Sequence, residues 1–476
     1  MRILKKGTFY LSSAWGAQLL TGYGISILLA RHFGSEVYGI YGSVMSILVW
    51  IETGILSGFP TAIQKYVGEK KEDALAVLKS AVQLQFVFIF ILFVVSFFLS
   101  PRIAGFLNDS SLTFFIRVAI IDVWLYGYFF IVLHLQNGLH KFGRQAVLLI
   151  IYGISKLGFI YFLVMKMNTI TGALIGNIAG SAVGLTLGIV FIYSEHLPKP
   201  KIKFDHMKIL RFATPIILYS IAIHLILNVD FWLVKKFIED KAVPGFYYAA
   251  SQMARVPYYF FFGLSATALP VMSDVLANRD KETAMQTIKT ATRLLLLFML
   301  PFGALVTSYG PQIITFFFGQ EFAGGGDVFR ILFWGMCLLA FFFLLSTIIT
   351  ADNRPTVSLG ITMCTLCISV ACNLNFIPHY GITGAAFSTT FAIFSGFCIA
   401  GAIIYRRFKA LVDLKSLIRI AAATVLMYAV SRFIRIDGWI LIPVCGFLAL
   451  FYFGLLMMFK EIDIKMIFRN LADLRG

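Results

Sequence analysis

The chain is written in long apolar runs separated by short polar connections. A bilayer core takes about 20 residues of helix to cross. Runs at 8–31, 37–64, 79–100, 113–137, 144–166, 170–193, 209–237, 244–272, 287–309, 327–350, 355–377, 382–405, 416–433 and 438–459 therefore predict an all-α polytopic protein of about fourteen transmembrane helices. The second run carries Glu52 and Pro60, and the thirteenth is short. The longest connections are 194–208, 273–286 and 310–326, too short to form a domain outside the membrane.

The pattern occurs twice. Ile170-Thr171-Gly172-Ala173 returns as Ile382-Thr383-Gly384-Ala385, and small residues follow each copy at every fourth position. They are Gly172, Gly176, Gly180, Gly184 and Gly188 in the first, and Gly384, Ser388, Ala392, Gly396 and Ala400 in the second. Val37-Tyr38-Gly39 likewise resembles Val243-Pro244-Gly245, and Lys71-Glu72-Asp73-Ala74 pairs with Lys281-Glu282-Thr283-Ala284. Each unit holds six spans, and an even number returns the chain to the same side. Two six-helix bundles, 1–194 and 209–405, should be related by a pseudo-twofold axis along the membrane normal, with a cavity between them. A basic linker, 195–208, joins them, and 406–476 adds two extra helices and a tail. In lipid, small residues at regular spacing let helix backbones approach closely. Packing within a bundle is the reading taken for the stripe, over homodimerisation or a groove for a lipid tail.

Composition agrees with the pattern. Of 476 residues, 59% are hydrophobic and 13% charged, against about 25% charged in soluble proteins. The net charge of +17 does not point to nucleic acid, because Lys and Arg of membrane proteins gather in cytoplasmic loops beside anionic lipid. With the N-terminus inside, far more Lys and Arg fall on the cytoplasmic than on the outer side, which supports cytoplasmic termini; the cell's inner, cytoplasmic membrane is the expected location. The six Cys lie in apolar runs of the second half, and Cys364-x-x-Cys367 has no His or acid nearby. They read as small hydrophobes. No Ser/His/Asp set, metal-ligand spacing or phosphate-binding loop is present, so no cofactor, metal or enzymatic activity is expected.

Leu29-Ala30-Arg31-His32-Phe33-Gly34, Val37-Tyr38-Gly39, Glu52-Thr53-Gly54 and Ala62-Ile63-Gln64-Lys65-Tyr66 resemble the first two helices of the Wzx-like polysaccharide flippases of the MOP (multidrug/oligosaccharidyl-lipid/polysaccharide) superfamily, which includes the MATE transporters. Gly245-Phe246-Tyr247-Tyr248-Ala249-Ala250, Phe317-Phe318-Gly319-Gln320-Glu321-Phe322, Asn353-Arg354-Pro355 and the segment Asn375 to Ala386 are similar to later family motifs. Glu52 departs from the family, which more often has Asp there. The resemblance implies two bundles of six helices around a central cavity, and movement of a lipid-linked oligosaccharide from the inner to the outer leaflet. Undecaprenyl-diphosphate is the expected carrier, with glycan-assembly enzymes as partners.

A charge near mid-bilayer usually faces a cavity or a partner. Lys156 and Arg255 lie mid-span, one in each half, and Pro257 should kink the helix that carries Arg255. They are expected, with Arg31 at the outer end of the first span, to bind the lipid diphosphate, for which Arg offers a fork and Lys a point charge. Asp230, Glu52, Asp122 and His224 are candidates for coupling to H+ or Na+. The alternative for these charges is internal pairing, for instance of Lys156 with Glu52 or Asp230. A cation-coupled multidrug antiporter of MATE type is the rival function. A membrane glycan polymerase, ligase or glycosyltransferase is disfavoured by the short connections.

Overall fold

The computed structural model describes residues 2–195, 197, 204–277, 280–434 and 438–462, and all regular structure among them is helical. Lys199, Lys201 and Lys203 of the expected linker, and the tail beyond Ile462, lie outside the described residues. The chain forms two compact units, Met1–Gly245 and Phe246–Gly476.

Eleven helical stretches among the described residues are long and apolar enough to cross a membrane. Two of them are about twice the length of a span, at 60 and 54 residues, and each reverses at a glycine. Helix α1 (Arg2–Ser57) is interrupted at Gly34, whose φ of 74° is open to glycine and strained for other residues. Ser26 and Tyr38 hydrogen-bond across the break through their hydroxyls. Twelve residues of straight helix would hold them about 18 Å apart. Later in the chain Gly381, at φ 58°, does the same. It divides Pro355–Phe408 so that Asn373 reaches Thr389 at 3.5 Å. With these reversals, and the apolar stretch Val243–Ala277 interrupted at Arg255, all fourteen expected crossings have helical counterparts.

In the first unit α2 (Phe59–Glu69) restarts the second crossing after a break at Gly58, with Pro60 in its first turn. Proline is tolerated there because its missing N–H has no helical partner at that position. Helices α3 (Ala74–Phe106), α4 (Leu112–Ala119), α5 (Asp122–Gly138), α6 (Phe142–Met167) and α7 (Ile170–Ser194) follow. The seventh crossing, assigned to the second half by the repeat, belongs to this compact unit. It is split into α8 (His206–Ile226) and α9 (Val229–Phe237). Phe59, Ile63, Val77, Leu135, Ile209 and Ala213 form one buried cluster that joins α2, α3, α5 and α8.

The repeated tetrapeptide opens α7 after a tight turn. Asn168 closes α6 in the left-handed conformation, and the Thr169 side chain caps α7 by accepting from Gly172 N–H at 3.4 Å. The glycine stripe is buried within the unit. A Cβ on Gly172 would stand 2.8 Å from the Leu163 carbonyl, on Gly176 2.7 Å from Ile160 Cα, and on Gly180 2.7 Å from Lys156 Cα. On Gly184 and Gly188 it would meet Phe129 and Val132 at 2.9 and 2.8 Å. The stripe thus passes from α6 to α5, as spacing by four drifts about 40° per step on a helix of 3.6 residues per turn. Close packing inside the bundle is its use.

The Gly39 and Gly245 motifs, equivalent in the duplication, touch each other. A Cβ on Gly39 would lie 2.9 Å from Gly245 N, and one on Gly245 would collide with the Ser35 carbonyl.

The second unit continues from α10 (Val243–Ala254) through α11 (Val256–Ala277) and α12 (Lys281–Phe318) to α13 (Gly326–Ala351), α14 (Pro355–Phe408), α15 (Leu414–Phe433) and α16 (Leu441–Met458). The two added helices lie on α12. Ser308 bonds Ser431 at 2.6 Å, Tyr452 OH donates to the Leu297 carbonyl at 2.9 Å, and the buried Glu461 receives Arg293 at 2.6 Å and Arg419 at 3.4 Å.

Gly176→Val should lower the stability of the detergent-solubilised protein by about 1–3 kcal/mol, the usual cost of overpacking a filled contact. Gly158→Ala, where an added Cβ meets nothing within 4 Å, should leave it unchanged. Thermal unfolding of the two variants makes the comparison.

Candidate functional site

Four helices of the first unit converge on a charged cluster. The second arm of α1 brings Glu52, α5 brings Asp122 and Tyr126, α6 brings Tyr152 and Lys156, and α7 brings Asn177 and Ser181. The glycines of α7 are what allow this approach, since Gly180 sits against the backbone of Lys156 itself.

Glu52 and Asp122 are 6% and 1% exposed, whereas Lys156 is half-buried. Each carboxylate acts electrostatically on Lys156, and they act on each other. No carboxylate among the described residues is in ion-pair contact with Lys156, whose ammonium lies 3.4 Å from the Tyr152 hydroxyl. The Tyr152 ring stacks on Tyr126 with centroids 5.4 Å apart. Asp122 lies in the first turn of α5, after the chain breaks between α4 and α5. The exposed N–H groups of a helix start favour a carboxylate there. Its Oδ2 accepts a hydrogen bond from Asn177 Nδ2. Glu52 Oε1, Asp122 Oδ1 and Asn177 Oδ1 are buried and make no hydrogen bond with the protein, and the Ser181 hydroxyl lies beside Asp122. Two carboxylates, one ammonium and a set of unengaged oxygens can hold a small cation or exchange a proton.

Of the residues expected from the sequence, the structure brings together Glu52, Asp122 and Lys156. Asp230 and His224 lie in the same unit, at the break in the seventh crossing. Asp230 is buried in the first turn of α9 and accepts from Phe231 N–H at 2.7 Å, and Asn228 donates to the His224 carbonyl at 2.7 Å. Trp232, two residues on, donates to Ser46 Oγ of α1 at 2.8 Å. Arg31 is exposed near the end of the first arm of α1. Arg255 is buried in the second unit at the break between α10 and α11, two residues before Pro257. Proline lacks the N–H that would continue the helix and disfavours helical geometry in the residue before it.

Asn177 and Ser181 were not among the expected site residues. Both stand one position after a stripe glycine, and a buried Asn in an apolar helix was the available signal. A second feature also went unforeseen. Lys235, 8% exposed, pairs with Asp109 at 3.0 Å, and Asn108 Nδ2 donates to the Lys236 carbonyl at 2.8 Å. These contacts tie the α3–α4 connection to α9 beside a cavity of about 530 Å3 lined in part by Glu36, Lys236 and Lys241.

Residues 4–276 match the family model described as polysaccharide biosynthesis protein. The chain belongs to this family. Residues 215–374 also match the MatE model. Among curated relatives is the probable low-salt glycan biosynthesis flippase Agl15 of Haloferax volcanii, 23% identical over 374 residues, which are 77% of each chain. An uncharacterized membrane protein of Methanocaldococcus jannaschii is 22% identical over 405 residues, 78% of each chain. Among solved structures, the lipid II flippase MurJ in an inward closed conformation gives a TM-score of 0.77 at 17% identity, covering 97% of this chain and 99% of that one. An inward-facing multidrug resistance MATE family transporter gives 0.72 at 14% identity, over 83% and 95%. This member of the polysaccharide biosynthesis family therefore has the multi-pass helical fold of that flippase and that transporter.

The Asp109–Lys235 tie sets an acid limit. Partial burial would raise the Asp109 carboxyl, but hydrogen bonds from Ser111 and Lys235 and the Lys235 charge outweigh it and hold the group below its ordinary value. A carboxyl lowered in the folded state contributes stability above its ordinary value of about 3.9, and loses that contribution as pH falls through the lower folded value. Thermal unfolding should show an acid-labile increment in this protein that Asp109→Asn lacks.

Proposed function

We propose that this protein moves an undecaprenyl-diphosphate-linked oligosaccharide from the inner to the outer leaflet of the cytoplasmic membrane by alternating access, driven by a cation gradient. The observation that carries the reading is the family match over residues 4–276, which includes the Lys156 cluster. The flippase relative in Haloferax volcanii supports a glycan-lipid substrate. In this account the six-span bundles 1–194 and 209–405 work about a pseudo-twofold axis, joined by 195–208 and flanked by 406–476. Both termini are cytoplasmic, and glycan-assembly enzymes deliver the substrate. Lys156, Arg255 and Arg31 engage the diphosphate and its glycan, and Glu52, Asp122, Asp230 and His224 serve the coupling ion, H+ or Na+.

Two observations favour the multidrug antiporter as second reading. The cluster in the first unit has more carboxylates than ammoniums, and residues 215–374 match the MatE model. A deletion strain separates the two. The glycan reading expects lipid-linked oligosaccharide to accumulate, whereas unchanged lipid intermediates with new sensitivity to cationic drugs would favour the antiporter.

Arg255→Ala and Lys156→Ala should each reduce glycan export more than about tenfold while the protein still inserts, since a hydrogen bond to a charged group contributes about 1.5–3 kcal/mol. Normal export by both would remove the diphosphate assignment. Glu52→Gln and Asp230→Asn should change how transport depends on the ion gradient. Unaltered dependence in both would return these acids to a structural role.

A further inference from the structure

Among the described residues the cluster on α1, α5, α6 and α7 does not balance in charge. Glu52 and Asp122 supply two carboxylates and Lys156 one ammonium, and the other titratable groups found to act with them there are Tyr126 and Tyr152. Hydrocarbon does not tolerate a bare charge, so with Lys156 offsetting one carboxylate the other calls for a proton or a small cation. The unengaged oxygens of Glu52, Asp122 and Asn177 offer ligands for it.

Lys156 is also placed to leave. Its backbone is fixed by contact with Gly180, but its ammonium is held only loosely, 3.4 Å from the Tyr152 hydroxyl and outside ion-pair contact with either carboxylate. A lysine head on a four-carbon stem is a movable point charge. Lys156 is half-buried, whereas Glu52 and Asp122 are buried.

We propose that Lys156 is an exchangeable counter-ion: a phosphate of the substrate draws its ammonium off the Glu52–Asp122 pair, and the pair then takes up one more monovalent cation, H+ or Na+, in its place. Substrate loading and cation loading thereby become one event, with no need for the two ligands to touch. The proposal rests on the anionic-substrate reading above.

The test uses the full chain in lipid nanodiscs. Without its ammonium, the pair must hold an additional cation at all times. The thermal stability of Lys156→Gln should therefore rise more steeply with falling pH or rising Na+ than that of the unaltered protein. Lys156→Arg should follow the unaltered protein, and Lys156→Gln/Asp122→Asn should lose the steeper dependence. An unchanged slope in Lys156→Gln, or a steep slope kept in the double variant, overturns the proposal. If Lys156→Gln does not fold, recovery of folding in the double variant supports the charge account, and failure of both overturns it.

The exchange itself is read by adding inorganic pyrophosphate in weak buffer. About one proton should be taken up per pyrophosphate bound in choline chloride, and none in Lys156→Gln, as one vacated carboxylate requires. Suppression of that uptake by NaCl identifies Na+ as the cation, and persistence identifies H+. A steep slope in Lys156→Gln with no pyrophosphate-linked uptake overturns the exchange. If that variant also exports oligosaccharide normally, the anionic-substrate reading falls with it, and if export is lost, the exchange alone falls.

Discussion

A charge cannot sit alone in hydrocarbon, and the first unit is arranged around that constraint. Each of Glu52, Asp122 and Lys156 would be costly alone on its helix, by about 2.5–3.5 kcal/mol even on insertion scales. Together they offset one another, but only if α1, α5, α6 and α7 come close enough for the three to interact. The glycines of α7 supply that closeness. Where Gly176 and Gly180 meet Ile160 and Lys156, no side chain separates the backbones. The stripe and the cluster are two aspects of one contact.

Interruptions in the helices place the remaining polar groups. Asp122 and Asp230 both lie in the first turn of a helix that restarts after a break, where free N–H groups favour a carboxylate. Arg255 stands at a third break, set by Pro257. Irregular backbone at membrane depth is tolerated where protein or a cavity satisfies it, and in this chain three buried charged residues stand at such breaks.

Much of the fold was legible in the sequence. Apolar length marked the crossings, and four-residue spacing of small side chains marked the tightest helix contact. Gly34 and Gly381 lie in the short connections expected between the first and second and between the eleventh and twelfth crossings, and the structure adds that helix runs up to the glycine from both sides in each. The site was legible only in part. Intramembrane charges announce themselves one at a time, but their partners depend on which helices are neighbours, and periodicity carries no such information. Lys156 could equally have been paired with Asp230, whereas the structure sets it among Glu52 and Asp122. Asn177 was hidden by its place in a stripe whose glycines drew the eye to packing. The seventh crossing shows the same limit: duplication counts it with the second half, and packing against α1 and α2 places it in the first compact unit.

The central claim is that an anionic glycan-lipid crosses the membrane through this protein. Reconstitution tests it most directly. Liposomes carrying an undecaprenyl-diphosphate oligosaccharide in the inner leaflet, with the purified chain and an imposed cation gradient, would be probed by a glycosidase confined outside. The account predicts that the oligosaccharide becomes cleavable with the unaltered protein and stays protected with Lys156→Ala. Equal protection with and without the unaltered protein, under either direction of the gradient, would contradict it.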